Sequence, residues 1–320
     1  MRALKLYLGV VPGFLPWQDQ PFIAKMMRDN QVGVIFSYWA FRKHTDKLFS
    51  EGLRDYFSYR GSLMIDSGAY SAFNSGAEIS AQNYLEFLRG LDVDEEDIIV
   101  NLDVIGNLDQ SKENWRWLSD KLDRPILPVI HWPAKRPSYL VDPYIGLGGM
   151  VPAFKINQSG GAHEVSRWIV EITQKSKENE QFFHGFGIGS PFHQILFEPY
   201  LASVDWIGWR RNAAVCSCYT PEGSTFVHEA RKKTKKGKAL TEYLFEKYSP
   251  PFLENIEDLS IPGTVGWKNR ALWNVWWFLE AQNYSNQIRG SKYVQSIQKA
   301  MNRKKRELNS ALLDEYLVGI

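Results

Sequence analysis

The sequence predicts an α/β fold, a (β/α)8 TIM barrel with a C-terminal helical, basic extension, and three observations carry that reading. Short β-rich or glycine-bounded runs recur eight times, each followed by a segment with helical apolar spacing, which is the alternation of a parallel α/β protein. The repeats occupy about 250 residues, the size of a closed barrel. No GxGxxG follows the first run, where an open dinucleotide-binding sheet would carry its phosphate fingerprint.

Taken in order, LKLYLGV (4–10) leads to a helix around PFIAKMMRD, VGVIFSYW (32–39) to one around TDKLFSEGLRDYF, and SLMIDSG (62–68) to ISAQNYLEFLRGL. DIIVNLDVIG (97–106) precedes KENWRWLSDKL, and PILPVIHW (125–132) precedes a short connection containing Pro133 and Pro137. YIGLGGM (144–150) precedes HEVSRWIVEITQKS, FFHGFGIG (182–189) precedes PFHQILFEPYL, and VDWIGW (204–209) leads to a basic segment. The glycine-rich GFGIGS at 185–190 looks like a phosphate loop, but it occupies the seventh strand, which argues against a dinucleotide site. Beyond Trp209, ALTEYLFEKY, WKNRALWNVWWFLEAQNY and YVQSIQKAMNRKKRELNSALLDEYL have helical spacing, separated by the loop SPPFLENIEDLSIPGTVG. The expected division is a catalytic barrel over 1–248 and a helical appendage over 249–320, with Trp267, Trp273, Trp276 and Trp277 packing the second onto the first.

Composition narrows the class. With 44% hydrophobic and 23% charged residues, and 12 Trp, 15 Tyr and 18 Phe, the chain has material for a large core, which excludes wholesale disorder. Two cysteines in 320 residues argue against a disulfide framework and for a reducing compartment. The opening MRALKLYLGVVPG lacks the pattern of a signal peptide, and no apolar run approaches the ~18 residues of a membrane span. A soluble, cytoplasmic protein is expected. The net charge of +2 hides an asymmetry: residues 1–209 hold 20 Lys+Arg against 25 Asp+Glu, whereas 210–320 hold 18 against 11. A basic final third suits a nucleic-acid partner, since Lys and Arg attract phosphates whatever the base sequence, and it equally suits a solvated lysine-rich helix face.

In such a barrel the side chains at the C-terminal ends of the strands line the active-site mouth. Asp66 ends strand three, Asp103 ends strand four and Asp205 lies near the end of strand eight, so three carboxylates are expected on one face. Crowded carboxylates push one another's pKa values apart, leaving one ionised as a nucleophile while another keeps a proton. Asp66 could also cap the loop DSGAY, and Asp103 the helix after strand four. Gly148 and Gly149 end strand six, and Gly187 and Gly189 end strand seven; they remove side chains where a flat ligand could approach the backbone, or else form tight turns. Tyr70 and Phe186 could sandwich a planar ring, and His131, with Trp132 at the end of strand five, could hydrogen-bond it; each could equally be structural.

DSGAY at 66–70, NLD at 101–103, GLGG in strand six, GFGIG in strand seven and VDWIGW in strand eight stand in the order and spacing of the tRNA-guanine transglycosylase superfamily. The chain resembles most its phage and bacterial DNA branch, which exchanges guanine in DNA for a 7-deazaguanine, over roughly residues 60–210. The resemblance implies Asp66 as general acid/base, Asp205 as nucleophile and Asp103 as reader of the base edge, with Ser67 and Gly68, next to Asp66, as further substrate contacts. It also implies Tyr70 and Phe186 as stacking partners, Gly148, Gly149, Gly187, Gly189 and His131 as base contacts, and Trp209 as the tryptophan that follows the nucleophile by four residues. Two departures stand out. The tRNA enzymes carry their nucleophile about three positions further on, where this chain has Gly208, and they hold a structural zinc on three Cys and a His, for which only Cys216, Cys218 and His228 are available.

The resemblance therefore implies double displacement at an anomeric carbon on a flipped-out nucleotide, with DNA favoured over tRNA and a 7-deazaguanine as second substrate. The shortage of cysteines leads to the expectation of neither zinc nor any other cofactor. Arg210, Arg211, Lys232, Lys233, Lys235, Lys236 and Lys238 are the expected phosphate contacts. A glycoside hydrolase or N-glycosidase on the same barrel, and a non-catalytic nucleic-acid-binding protein, are the alternatives. If the gene is phage-borne, the host cytoplasm is the expected location.

Overall fold

The eight runs fold into one parallel sheet that closes on itself. The structure is a computed structural model describing residues 3–137, 140–155, 159–176, 180–227 and 235–318. Its strands are β1 (Lys5–Gly9), β2 (Gly33–Ser37), β3 (Leu63–Asp66), β4 (Ile98–Val100), β5 (Ile126–Leu127), β6 (Val129–His131), β7 (Tyr144–Gly148), β8 (Phe182–Gly185) and β9 (Ser203–Trp206). Their order is β5-β4-β3-β2-β1-β9-β8-β7-β6. The two ends of that row, β5 and β6, are halves of the predicted fifth strand. Pro128, which has no N–H to give a ladder, separates them, but its carbonyl accepts from Gly146 N at 2.8 Å while the Leu127 carbonyl accepts from Asn101 N at 3.0 Å. One strand thus pairs with β4 through its first half and β7 through its second, and the barrel closes.

Alternation along each strand sets two cores. Tyr7, Ile35, Met64, Val100, Leu127 and Val129 fill the barrel, with Phe186 packed against them. The larger cluster lies between strands and helices and includes Leu8, Val34, Ile65, Ile99, Leu147 and Val204. The helix predicted after strand two is two helices, Thr45–Glu51 and Leu53–Phe57, because Gly52 takes φ 76° between them.

The floor of the barrel is tied by a buried ion pair. Arg54, 8% exposed, donates to Asp94 at 2.6 Å, to Asp97 at 2.8 Å and to the Gly61 carbonyl at 2.6 Å. Asp97 also accepts from Leu63 N at 2.8 Å, which ties the start of β3. Replacing Arg54 by Met strands the Asp97 charge, so chemical denaturation should show a loss of about 3 kcal/mol; an unchanged midpoint would contradict that role.

Among the described residues the C-terminal third is a short hairpin followed by helices that pack on the barrel. Helix Gly263–Glu280 is buried almost all round and packs on helix Gly208–Ala214, on the hairpin β10 (Ser217–Thr220)–β11 (Gly223–Phe226) and on helix Pro21–Asp29. Its buried Arg270 donates to the Ala213 and Leu259 carbonyls at 2.7 and 2.6 Å. Helix Lys292–Val318 runs along helix Ser159–Lys175, with Lys304–Glu171 and Arg167–Glu307 pairs at 2.9 and 3.1 Å. Among the described residues no helix is long and apolar enough to cross a membrane.

Candidate active site

At the C-terminal mouth of the barrel a cavity of about 480 Å³ opens, a size typical of small-ligand sites. It is lined by Asp66, Asp103 and Asp205, and by Tyr70, His131 and Phe186 among others. Asp66 is the last residue of β3, Asp103 follows β4 by three positions, and Asp205 projects inward from β9 opposite Tyr7 of β1. Three residues far apart in the chain meet because three strand ends meet.

Asp66 is half-buried, and its Oδ2 accepts the Gly68 N–H at 2.9 Å. Gly68 has φ 80°, and a Cβ there would come within 2.5 Å of Trp39, so only glycine permits this turn. The loop-capping reading of Asp66 holds, and the same carboxyl lines the cavity. Burial first, and then the charges of Asp103 and Asp205, push its pKa up to about 8 against the pull of the Gly68 and Ser67 N–H groups. At neutral pH it carries a proton. The unfolded chain loses that proton near pH 4, so between about pH 4 and pH 8 the folded state binds more protons and its stability falls as pH rises. Asp66→Asn should remove the decline. Calorimetry should show the variant's Tm exceeding that of the wild type by a margin that widens steadily from pH 4 to pH 8; a pH-independent difference would contradict the assignment.

Asp103, buried, touches His131 Nε2 through its Oδ2. The pair joins the ends of the fourth and fifth predicted strands and presents both an acceptor and an imidazole to the cavity. Tyr70, on helix Ala69–Asn74, and Phe186, just after β8, are half-buried and both line the cavity, which gives it apolar ring surface on two elements.

Asp205 is 6% exposed and its Oδ1 accepts twice, from Gly187 N at 2.7 Å and from His184 Nε2 at 3.2 Å. The Gly187 amide, expected to read a ligand edge, is therefore committed to Asp205. Gly208, three positions on, has no space for a side chain, since a Cβ would stand 2.2 Å from Trp206 Nε1. On this backbone Asp205 is the carboxylate that β9 can offer.

No protein-family model matches the chain, and no curated protein matches it.

The remaining predicted residues divide. Gly68, Gly148, Gly149, Gly187 and Arg211 line the cavity. Ser67 is fully buried and Gly189 donates its N–H to the Asp205 carbonyl at 2.7 Å; neither is among the lining residues. Trp209 is not a ligand contact. It is 0% exposed, donates Nε1–H to the Gly9 carbonyl at 2.9 Å and packs against Phe14 and Trp267, because helix Gly208–Ala214 turns it into the seam beneath helix Gly263–Glu280. Arg210 is exposed and outside the lining. Lys232, Lys233 and His228 lie outside the described residues, and Lys235, Lys236 and Lys238 fall in helix Lys235–Tyr248. Cys218 is fully buried, which pushes its thiol pKa well up, and Cys216 is half-buried. Among the described residues no group of three or more His, Cys, Asp or Glu is placed to hold a metal.

His184 was not among the predicted site residues. Together with Ser203 and Tyr144 it forms a hydrogen-bonded row under Asp205 inside the barrel. Strand parity held the signal: His184 lies two positions before Phe186, and Ser203 two before Asp205, so each shares the inward face of its neighbour.

Proposed function

We propose that the protein is a base-exchanging transglycosylase, a pentosyltransferase that replaces guanine in nucleic acid, DNA in preference to tRNA, by a 7-deazaguanine through a covalent aspartyl–C1′ intermediate. The observation that supports this best is the meeting of Asp66, Asp103 and Asp205 in one cavity, where burial and the other two carboxyls push Asp66 up to about 8. A carboxyl able to give a proton beside one placed to attack is the pairing that glycosidic-bond cleavage requires.

In this reading the target nucleotide leaves the stack, at a cost of a few kcal/mol, and its base enters between Tyr70 and Phe186. Asp103 accepts from the base's N–H groups, and His131 orients that carboxylate. The Asp205 carboxylate forms a bond to C1′ as the C1′–N9 bond breaks. The bonding pair leaves with guanine, which takes the proton of Asp66. The incoming base then gives its N9 proton to Asp66 and forms the new bond to C1′, releasing Asp205. Asp66 ends protonated and the chain is never cut. Arg211, on the cavity wall, and Arg210 beside it supply positive charge for the flanking phosphates. The preference for DNA rests on the resemblance to the DNA branch.

The test is incorporation of isotopically labelled guanine or a 7-deazaguanine into duplex DNA and into tRNA by the purified protein, read by nucleoside mass spectrometry. Label in DNA supports the proposal. Release of free base without replacement would mean an N-glycosidase, and no reaction on either polymer would overturn the assignment.

A further inference from the structure

We propose that His184 is a positioning residue that holds Asp205 in its attacking orientation, itself oriented by a one-way chain of hydrogen bonds from Tyr144 through Ser203. The inference deepens the reading of Asp205 as nucleophile and rests on it.

The geometry leaves little freedom. His184 is 0% exposed, and both ring nitrogens are engaged: Nδ1 meets Ser203 Oγ, and Nε2 meets Asp205 Oδ1 at 3.2 Å. An unprotonated Nε2 would set its lone pair against those of a carboxylate oxygen, so the proton belongs on Nε2. In a neutral ring Nδ1 is then an acceptor and Ser203 must donate to it. The Ser203 oxygen in turn accepts from the Tyr144 hydroxyl, the third member of the row. Every proton points towards Asp205. A doubly protonated ring would instead have Nδ1 donate to Ser203, so a proton on Nδ1 distinguishes the two arrangements. The ring packs between Tyr7 and Phe186, with centroids 5.7 and 4.4 Å away, which holds its plane.

The consequence lies in the two carboxylate oxygens. Oδ1 is pinned by two N–H donors, from His184 and Gly187, whereas Oδ2 has no protein donor among the described residues. Fixing one oxygen fixes the rotation of the carboxylate and leaves the other with its lone pairs available to C1′. Misplacement of a reacting atom by about 1 Å costs on the order of 10²-fold in rate, and that is the scale of effect expected here. His184 touches neither base nor sugar in this account, so its removal should act on the chemical step and not on binding.

The experiment compares wild type with His184→Phe, His184→Gln and Tyr144→Phe, all with labelled guanine and duplex DNA, together with 15N NMR of histidine-labelled wild-type protein, His184 being assigned from the His184→Gln spectrum. The expected spectrum shows a proton on Nε2 and an unprotonated Nδ1. His184→Phe should lower kcat about 10²-fold with KM for the base and DNA affinity changed less than about twofold. His184→Gln, whose amide can donate in place of Nε2–H, should recover at least about tenfold of that loss, and Tyr144→Phe should cost less than about tenfold. An Nδ1–H or doubly protonated ring overturns the proposal whatever the activity. So does a rise in KM with kcat unchanged, or a Gln variant no better than Phe. If wild type exchanges no base, the functional reading fails by itself, and the NMR result decides the hydrogen-bond chain separately.

Discussion

Replacing Asp205 by Asn should abolish base exchange, lowering kcat by about 10⁴-fold or more, the scale seen when a nucleophile that forms a covalent intermediate is removed. The fold should survive. Asn keeps an Oδ1 able to accept from Gly187 N–H and His184 Nε2–H, and it occupies the same volume on the inward face of β9. DNA affinity should change little, because the proposed phosphate contacts, Arg210 and Arg211, are other residues. Exchange measured with labelled guanine, beside a melting curve and a DNA-binding titration, separates these effects. Exchange at the wild-type rate would remove Asp205 from the mechanism, and loss of binding with unchanged turnover would make it a recognition residue.

The second large effect belongs to Asp66. Guanine departs well only when protonated, so Asp66→Asn should lower kcat by about 10²–10⁴-fold, the usual contribution of a general acid. The pH profile carries the stronger test. With its carboxyl pushed up to about 8, Asp66 holds its proton at neutral pH and gives it up above, so wild-type exchange should fall as pH rises past about 8. The residual rate of Asp66→Asn should lack that descent. A variant with the same alkaline limb as wild type would assign the limb to another group, and a variant with full activity would leave Asp66 as the loop cap that its bond to Gly68 N–H also makes it.

Much of this was legible in the sequence because it is written in local signals. Parallel strands buried on both faces read as apolar runs bounded by glycine or proline, and their alternation with helices announces the barrel. What no run could show is closure at a proline: Pro128 divides a strand whose halves serve opposite neighbours, a fact of pairing. Asp66, Asp103 and Asp205 stood out because aspartate is poorly suited to strands, so three at strand ends were conspicuous. His184 was hidden inside FFHGFGIG, where the glycines drew the eye to a ligand-facing loop, whereas in the fold one glycine amide serves Asp205 itself. Trp209 was misplaced for the opposite reason. Its spacing from Asp205 is regular, but Gly208 begins a helix and turns the indole away from the cavity into the seam with Phe14 and Trp267. Spacing along a chain gives distance and not direction.

The most direct measurement is to incubate the wild-type protein with a DNA duplex in the absence of incoming base, quench, and map the adduct by peptide mass spectrometry. The expected result is DNA joined through C1′ to the peptide containing Asp205, and its absence from Asp205→Asn. An adduct on Asp66, on Asp103 or on a residue outside the cavity would contradict the account.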